Sequence, residues 1–204
     1  MILRRNLGLR FITLNMNNTF YFLCHAETKM DKSVPVSYWK LSKGGKKEAY
    51  ELADVGMFDD IDAIVTSEEE KAVQTAAPIA KRLGVEPMCI AELGEINRDG
   101  GGFLEKDEFD KAIQVSLTNL DESHYEWEKG RDALERFQGA IDKIDSECDH
   151  KNILIVAHGC VVNLYFAHLL DKLDKAHARM VKTRFCDWGM VQDGEVVEDI
   201  VKEA

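Results

Sequence analysis

A three-layer α/β/α sandwich on a mostly parallel central sheet is what this chain predicts, because short apolar runs alternate with segments of helical spacing. Two further observations support it. The run "NILIVAH", residues 152–158, is apolar almost throughout, as a central strand covered on both faces would be. The chain's 204 residues and 45% hydrophobic content are enough for one sizeable core.

The elements follow in order. Thr19 to Leu23 is aromatic and apolar and predicts a buried first strand. "LSKGGKKEAYELADVG" predicts a helix with Ala49, Leu52 and Ala53 on its inner face and Gly56 as its stop. "IDAIVTS" predicts a second strand. Ser67 then stands where an N-cap belongs, with Glu68, Glu69 and Glu70 in the first turn, and Ser67 with Glu70 spells a capping box. That helix runs to Gly84 and carries Pro78 inside it, where a kink is expected. "VEPMCI" predicts a third, short strand. Residues 92–125 show less regularity, and the Gly100-Gly101-Gly102 run marks a loop; a lid segment is expected near 97–125. A long amphipathic helix is expected from Tyr125 onward, with Trp127, Leu134, Phe137, Ile141 and Ile144 on one face. After the 152–158 strand comes another helix, "CVVNLYFAHLLDKL", and the tail predicts a hairpin turning at Asp193-Gly194.

Composition excludes several functions. A net charge of −11 without a basic cluster argues against nucleic acid as a partner. No apolar run approaches the roughly 20 residues needed to span a bilayer. Five scattered cysteines with no CxxC pair read as reduced thiols and a cytoplasmic setting. In residues 1–18, Arg4, Arg5 and Arg10 interrupt the apolar residues, and no small-residue cleavage site follows. This segment is expected to be an extra strand or an upstream extension, with one domain over 19–204.

"YFLCHA" and "LIVAHG" share a design: an apolar strand ends, then comes a histidine, then a small residue. In open α/β sheets, ligands sit outside the carboxyl ends of the strands. One histidine there is ordinarily a solvated or capping residue. Two in the same setting point to a shared site, if their strands are neighbours. Such a pair suits metal binding, with Cys24 and Cys160 nearby, or nucleophilic attack by one ring with charge stabilisation by the other. Neighbouring strand residues point to opposite faces, which weighs against Cys24 and His25 sharing an ion.

Five stretches, in order, resemble the motifs of the histidine phosphatase superfamily, the phosphoglycerate-mutase-like branch of α/β folds. "CHAET" stands where that family has Arg-His-Gly-Glu-Thr or Ser, and "LSKGGKKEA" resembles Leu-Thr-X-X-Gly-X-X-Gln-Ala. "TSEEEKAVQTAAPIA", residues 66–80, resembles Ser-Ser-Pro-Leu-X-Arg-Ala-X-Gln-Thr-Ala. "LGEI" sits at Leu-X-Glu, and "ILIVAHGCVV" resembles the second histidine motif. The resemblance implies a metal-independent phosphomonoesterase with no cofactor, acting on a small phosphorylated metabolite or a phosphoprotein. It implies His25 as nucleophile, Glu95 as general acid and then base, and His158 as stabiliser of the transferring group. It also places Lys71 and Thr28 in the phosphate pocket. The mutase branch fits less well, since Trp39 is not followed by asparagine.

The sequence departs from the family at two places. Cys24 stands where the arginine before the nucleophile belongs, and Lys71 replaces the second arginine. Arginine offers a planar fork to phosphate, lysine a point charge, and a thiol neither. One charged hydrogen bond contributes about 1.5–3 kcal/mol, so losing it in the transition state slows turnover roughly 10- to 150-fold. Arg98, three residues after Glu95, is the candidate replacement cation. The alternative implied is a weak or inactive member that binds a phosphorylated ligand or a protein partner.

Overall fold

The computed structural model describes residues 16–202. The expectation for residues 1–18 therefore falls mostly outside the described residues. At the start of the described chain, Asn18 is buried and donates its amide to the Asp145 carboxylate and to the Asp145 and Cys148 carbonyls.

β1 (Thr19–Cys24), β2 (Ala63–Thr66), β3 (Met88–Cys89) and β4 (Asn152–Ala157) are mutually parallel, and β5 (Trp188–Gln192) and β6 (Glu195–Glu198) form an antiparallel edge. The sheet order is β3-β2-β4-β1-β5-β6, so β1 and β4 are central neighbours. Alternation divides their side chains between two cores. Phe20, Phe22, Ile153 and Ile155 pack with α4 (Gly130–Glu147) and α5 (Gly159–Leu169). Leu23, Leu154 and Val156 pack on the other face with Ala53 of α1 (Lys43–Asp54) and with Ala72, Ala76 and Ile79 of α2 (Glu70–Leu83). Both faces are covered, which explains why β4 is apolar throughout and why α5, enclosed on all sides, buries eight consecutive residues, Cys160 to Ala167.

The chain after β1 crosses to the α1/α2 face, and the chain after β4 crosses to the α5 face. The connections thus diverge between β1 and β4, the switch point at which such sheets open a crevice. α1 begins by passing so close to the first loop that a Cβ on Gly45 would lie 2.0 Å from the Glu27 carbonyl oxygen.

Several expectations about single elements are corrected. Ser67 is not an N-cap, and no capping box forms: α2 starts at Glu70 with Glu69 as cap residue, and the Ser67 hydroxyl turns inward. Pro78 lies buried inside the continuous α2, which Gly84 ends in the left-handed conformation (φ 67°). The irregular stretch contains a regular helix, α3 (Lys106–Thr118), with Ala112, Ile113, Ser116 and Leu117 buried. The glycine run is a single 3-10 turn, Asp99–Gly101. α4 begins at Gly130 and not at Tyr125, because Tyr125 and Glu126 adopt positive φ (55° and 59°) and turn the chain. Trp127 is buried by packing on Phe109 of α3, not as part of α4's inner face. A short α6 (Ala176–Met180) follows α5, and Asp193 and Gly194, both at positive φ, make the hairpin turn.

Candidate active site

β1 and β4 pair in register, with Cys24 opposite Ala157, so the next residue of each strand stands beside the other. His25 N–H donates to the Ala157 carbonyl at 3.0 Å, and the His25 and His158 rings lie 5.2 Å apart between centroids. His25 continues the face of Leu23, whereas Cys24 belongs to the opposite core.

His25 Nδ1 lies 2.8 Å from the Ala26 carbonyl oxygen. A carbonyl only accepts, so Nδ1 carries the proton and Nε2 keeps its lone pair. Burial lowers the His25 pKa to about 4, against an opposing contribution from the Ala26 bond; Lys71 lowers it further. The ring is therefore neutral at pH 7. Ala26 is itself fixed: its N–H donates to the Thr75 hydroxyl of α2 at 3.0 Å.

His158 is fully buried, and its burial, with His25 and Lys71 nearby, holds its pKa well below the usual range. Its Nε2 is 2.7 Å from Ser67 Oγ and 3.3 Å from Glu69 Oε1. Its Nδ1 has no hydrogen-bond partner among the described residues. An unpaired N–H is rarer in buried sites than an unpaired acceptor, which assigns the proton to Nε2, facing the serine and the carboxylate. The Lys71 ammonium is nearly fully buried, bonds the Glu69 carboxylate, and donates to the Val36 carbonyl at 2.9 Å. Lys71 therefore reaches the site with its charge already countered.

Glu95 is buried at the N-terminus of α5. Its Oε1 accepts from the Ile96 and Val161 N–H groups at 2.9 and 3.1 Å, and its Oε2 accepts from Cys160 N–H at 3.0 Å. These donors fix the orientation of the Glu95 carboxyl group at the N-terminus of α5. Arg136 of α4 clamps the same loop by donating to the Gly94 and Glu95 carbonyls at 3.1 and 3.2 Å, while pairing with Glu128.

A cavity of about 1010 Å³ opens over the histidines, lined among others by Cys24, His25, Thr28, Lys71, Glu95 and Arg98. The structure thus places every candidate residue except His158 on the cavity wall; His158 is fully buried with its ring against His25. Cys24 is buried, and burial together with Glu95 raises its thiol pKa, so it contributes no charge. Arg98 lies over the Phe109 and Trp127 rings at 5.2 and 5.6 Å and forms no ion pair among the described residues. The remaining wall is largely apolar, and Phe185 stacks on His25 with centroids 5.6 Å apart. No group of three or more His, Cys, Asp or Glu residues among the described residues could hold a metal ion.

Sequence reasoning missed Ser67, Glu69, Thr75, Arg136 and Phe185. Glu69 had a signal: a carboxylate stands where the resembled motif has leucine. Arg136 and Phe185 had none, because each reaches the site from a distant helix or loop.

Adjacent parallel central strands ending in paired histidines define, with this topology, the phosphoglycerate-mutase-like class of α/β proteins. The chain belongs to the histidine phosphatase superfamily (branch 1), whose sequence profile matches residues 20–193. No curated protein matches the chain. Among solved structures it is similar to mycobacterial glucosyl-3-phosphoglycerate phosphatase, 19% identical over 84% of this chain and 88% of that one, with a TM-score of 0.72. It is also similar to Bacillus stearothermophilus YhfR, 19% identical over 91% of this chain and 100% of that one, with a TM-score of 0.72. Phosphoserine phosphatase from Entamoeba histolytica is 18% identical over 89% of this chain and 94% of that one, with a TM-score of 0.70. At these identities the likeness is one of fold. No helix among the described residues is long and apolar enough to cross a membrane.

Proposed function

We propose that this protein is a metal-independent phosphomonoester hydrolase acting through a phosphohistidine at His25. The observation that carries the proposal is the His25 ring: neutral, locked by its Nδ1–H bond to the Ala26 carbonyl, and presenting its Nε2 lone pair beside the cavity. Nε2 attacks phosphorus in line, and the bond from phosphorus to the ester oxygen breaks. Glu95 acts first as the acid, from its protonated form; Oε2, with one N–H donor against two on Oε1, has the lone pair that carries this proton to the leaving oxygen. Water then attacks the phosphohistidine while Glu95 takes its proton, and phosphate leaves. His158 Nε2–H, Lys71, Thr28 and Arg98 offset charge on the transferring oxygens. The substrate class is a small phosphorylated metabolite or a phosphoprotein, and the unpaired cysteines suit a cytoplasmic setting.

The test is an assay with p-nitrophenyl phosphate in EDTA, together with trapping of acid-labile label from a radiolabelled phosphomonoester. Wild type is expected to turn over and to carry label, and His25→Ala to do neither. Equal turnover in both proteins would remove His25 from the mechanism. A second reading, a weakly active or inactive binder of phosphorylated ligands, is favoured by the uncharged Cys24 at the position of the missing arginine. It predicts phosphate binding with turnover at background.

A further inference from the structure

Two donors that a phosphoryl group would use in the function proposed above already face an anion. One Glu69 oxygen bonds the Lys71 ammonium. The other lies 3.3 Å from His158 Nε2 and accepts the Glu95 N–H at 2.8 Å. The Glu69 N–H donates to Ser67 Oγ at 3.2 Å, and that oxygen touches His158 Nε2, so the backbone aims the carboxylate at the site. We propose that Glu69 is an internal anion that occupies the phosphate-binding donors, so that a phosphoryl dianion enters only by displacing the carboxylate from Lys71 and His158. This rests on the reading of the site as one that accepts phosphoryl groups.

A buried lysine needs a counterion wherever it lies. That need accounts for the contact with Lys71. It does not account for the contacts with His158 and the Glu95 N–H, which belong to the site. The carboxylate also has somewhere to go. Its side chain is 14% exposed and borders a second cavity of about 1120 Å³ that Lys40 and Arg136 also line, whereas Lys71 lines the cavity over His25. Displacement would therefore return Glu69 to the water of that cavity, where Lys40 and Arg136 offset part of the charge of Glu68, Glu70 and Glu128, while Lys71 turns to the ligand. With Glu69 in place its charge cancels that of Lys71 beside His25. The donors next to the two histidines thus have little net positive charge to attract a bare dianion. Inorganic phosphate, the product, is accordingly a weak ligand and a weak inhibitor, and a good substrate must be held by the wall around Phe109 and Phe185 as well as by its phosphoryl group.

The test is calorimetric titration of inorganic phosphate into wild type, Glu69→Gln and Glu69→Leu, with thermal melts to show that each is folded. Both variants are expected to bind phosphate about 10-fold or more tightly than wild type, the size of one freed charged hydrogen bond. Adding Lys71→Met is expected to abolish the gain. Glu69→Gln preserves the volume and decides the matter if the leucine variant does not fold. Phosphate affinity no higher in Glu69→Gln than in wild type, including no measurable binding by either, overturns the proposal. So does a gain that survives Lys71→Met. Trapping of label at His25 separates the two ideas: label in wild type without a gain in affinity removes only the role of Glu69, and no label in any protein removes the phosphatase reading.

Discussion

At the scale of single residues, burial decides the chemistry of the site. His25 at about 4 and His158 well below its usual range stay neutral where a solvated histidine would begin to charge. Under the proposed mechanism the nucleophile is lost only as pH falls through about 4, and a pH profile of kcat/KM is expected to keep this acid limb below the ordinary histidine value of 6.5. Stability follows the same shift. The unfolded chain binds more protons than the folded one between 6.5 and about 4, so stability from His25 is present above that window and is lost as pH falls through it. The loss is expected to reach at most about 3 kcal/mol, and His25→Asn is expected to flatten the dependence in urea titrations across this range. Thr75 is the other decisive residue. Thr75→Val keeps the volume but strands the buried Ala26 N–H, with an expected cost of about 1–3 kcal/mol in urea unfolding and reduced turnover, because Ala26 also orients His25.

Elements bring these residues within reach of one another. β1 and β4 set the histidines side by side through register alone, and α2 ties the loop after β1 through Thr75 and, from Gln74, through the Leu41 N–H at 3.0 Å. The Glu95 loop is held by α4, by α5 and by Glu69 at the start of α2. Arg136→Met removes donors to three carbonyls, those of Glu92, Gly94 and Glu95, and leaves the Glu128 carboxylate without its cation. It is expected to cost about 1.5–3 kcal/mol in stability and to lower kcat more than it raises KM, since Glu95 is proposed to act on the chemical step and not on binding. A purely structural role would leave the kcat of the folded protein unchanged.

For the molecule as a whole, the site exists because two cores hold the central strands from opposite faces. Phe22 of β1 joins one core, with ring contacts to Phe137 of α4 and to Tyr165 and Phe166 of α5 at 6.2, 5.3 and 5.4 Å. Phe22→Ala is expected to destabilise the protein by about 3–5 kcal/mol, measured by chemical denaturation, and thereby to loosen the strand that carries His25. The divergence of connections between β1 and β4 then opens the crevice, and α3, α6 and the loop bearing Phe185 wall it.

Local pattern was enough for the sheet strands, for α1, the body of α2 and α5, and for the paired strand-end histidines, and the resembled motif marked the break at Cys24. Each depends on periodicity or on order along the chain, which is written in the residues themselves. α3 was missed: Phe109, Ala112, Ile113, Ser116 and Leu117 keep helical spacing, but the charges between them masked it. The start of α4 was missed too, because Trp127 is buried across a turn and burial looks the same in sequence whichever backbone produces it. Nor could spacing alone choose between a metal and a nucleophile for the two histidines; the proposal of a nucleophile rests on hydrogen bonds, the Ala26 carbonyl on Nδ1 above all. The sequence determined which residues stand at the ends of the central strands. Only the tertiary structure decided what each one faces: that Lys71 meets Glu69, that the Ser67 hydroxyl meets His158, and that Arg98 lies over two aromatic rings. The reason is physical. Charge and protonation in a buried site depend on distances of a few ångströms between residues far apart in the chain, and no local pattern encodes those distances.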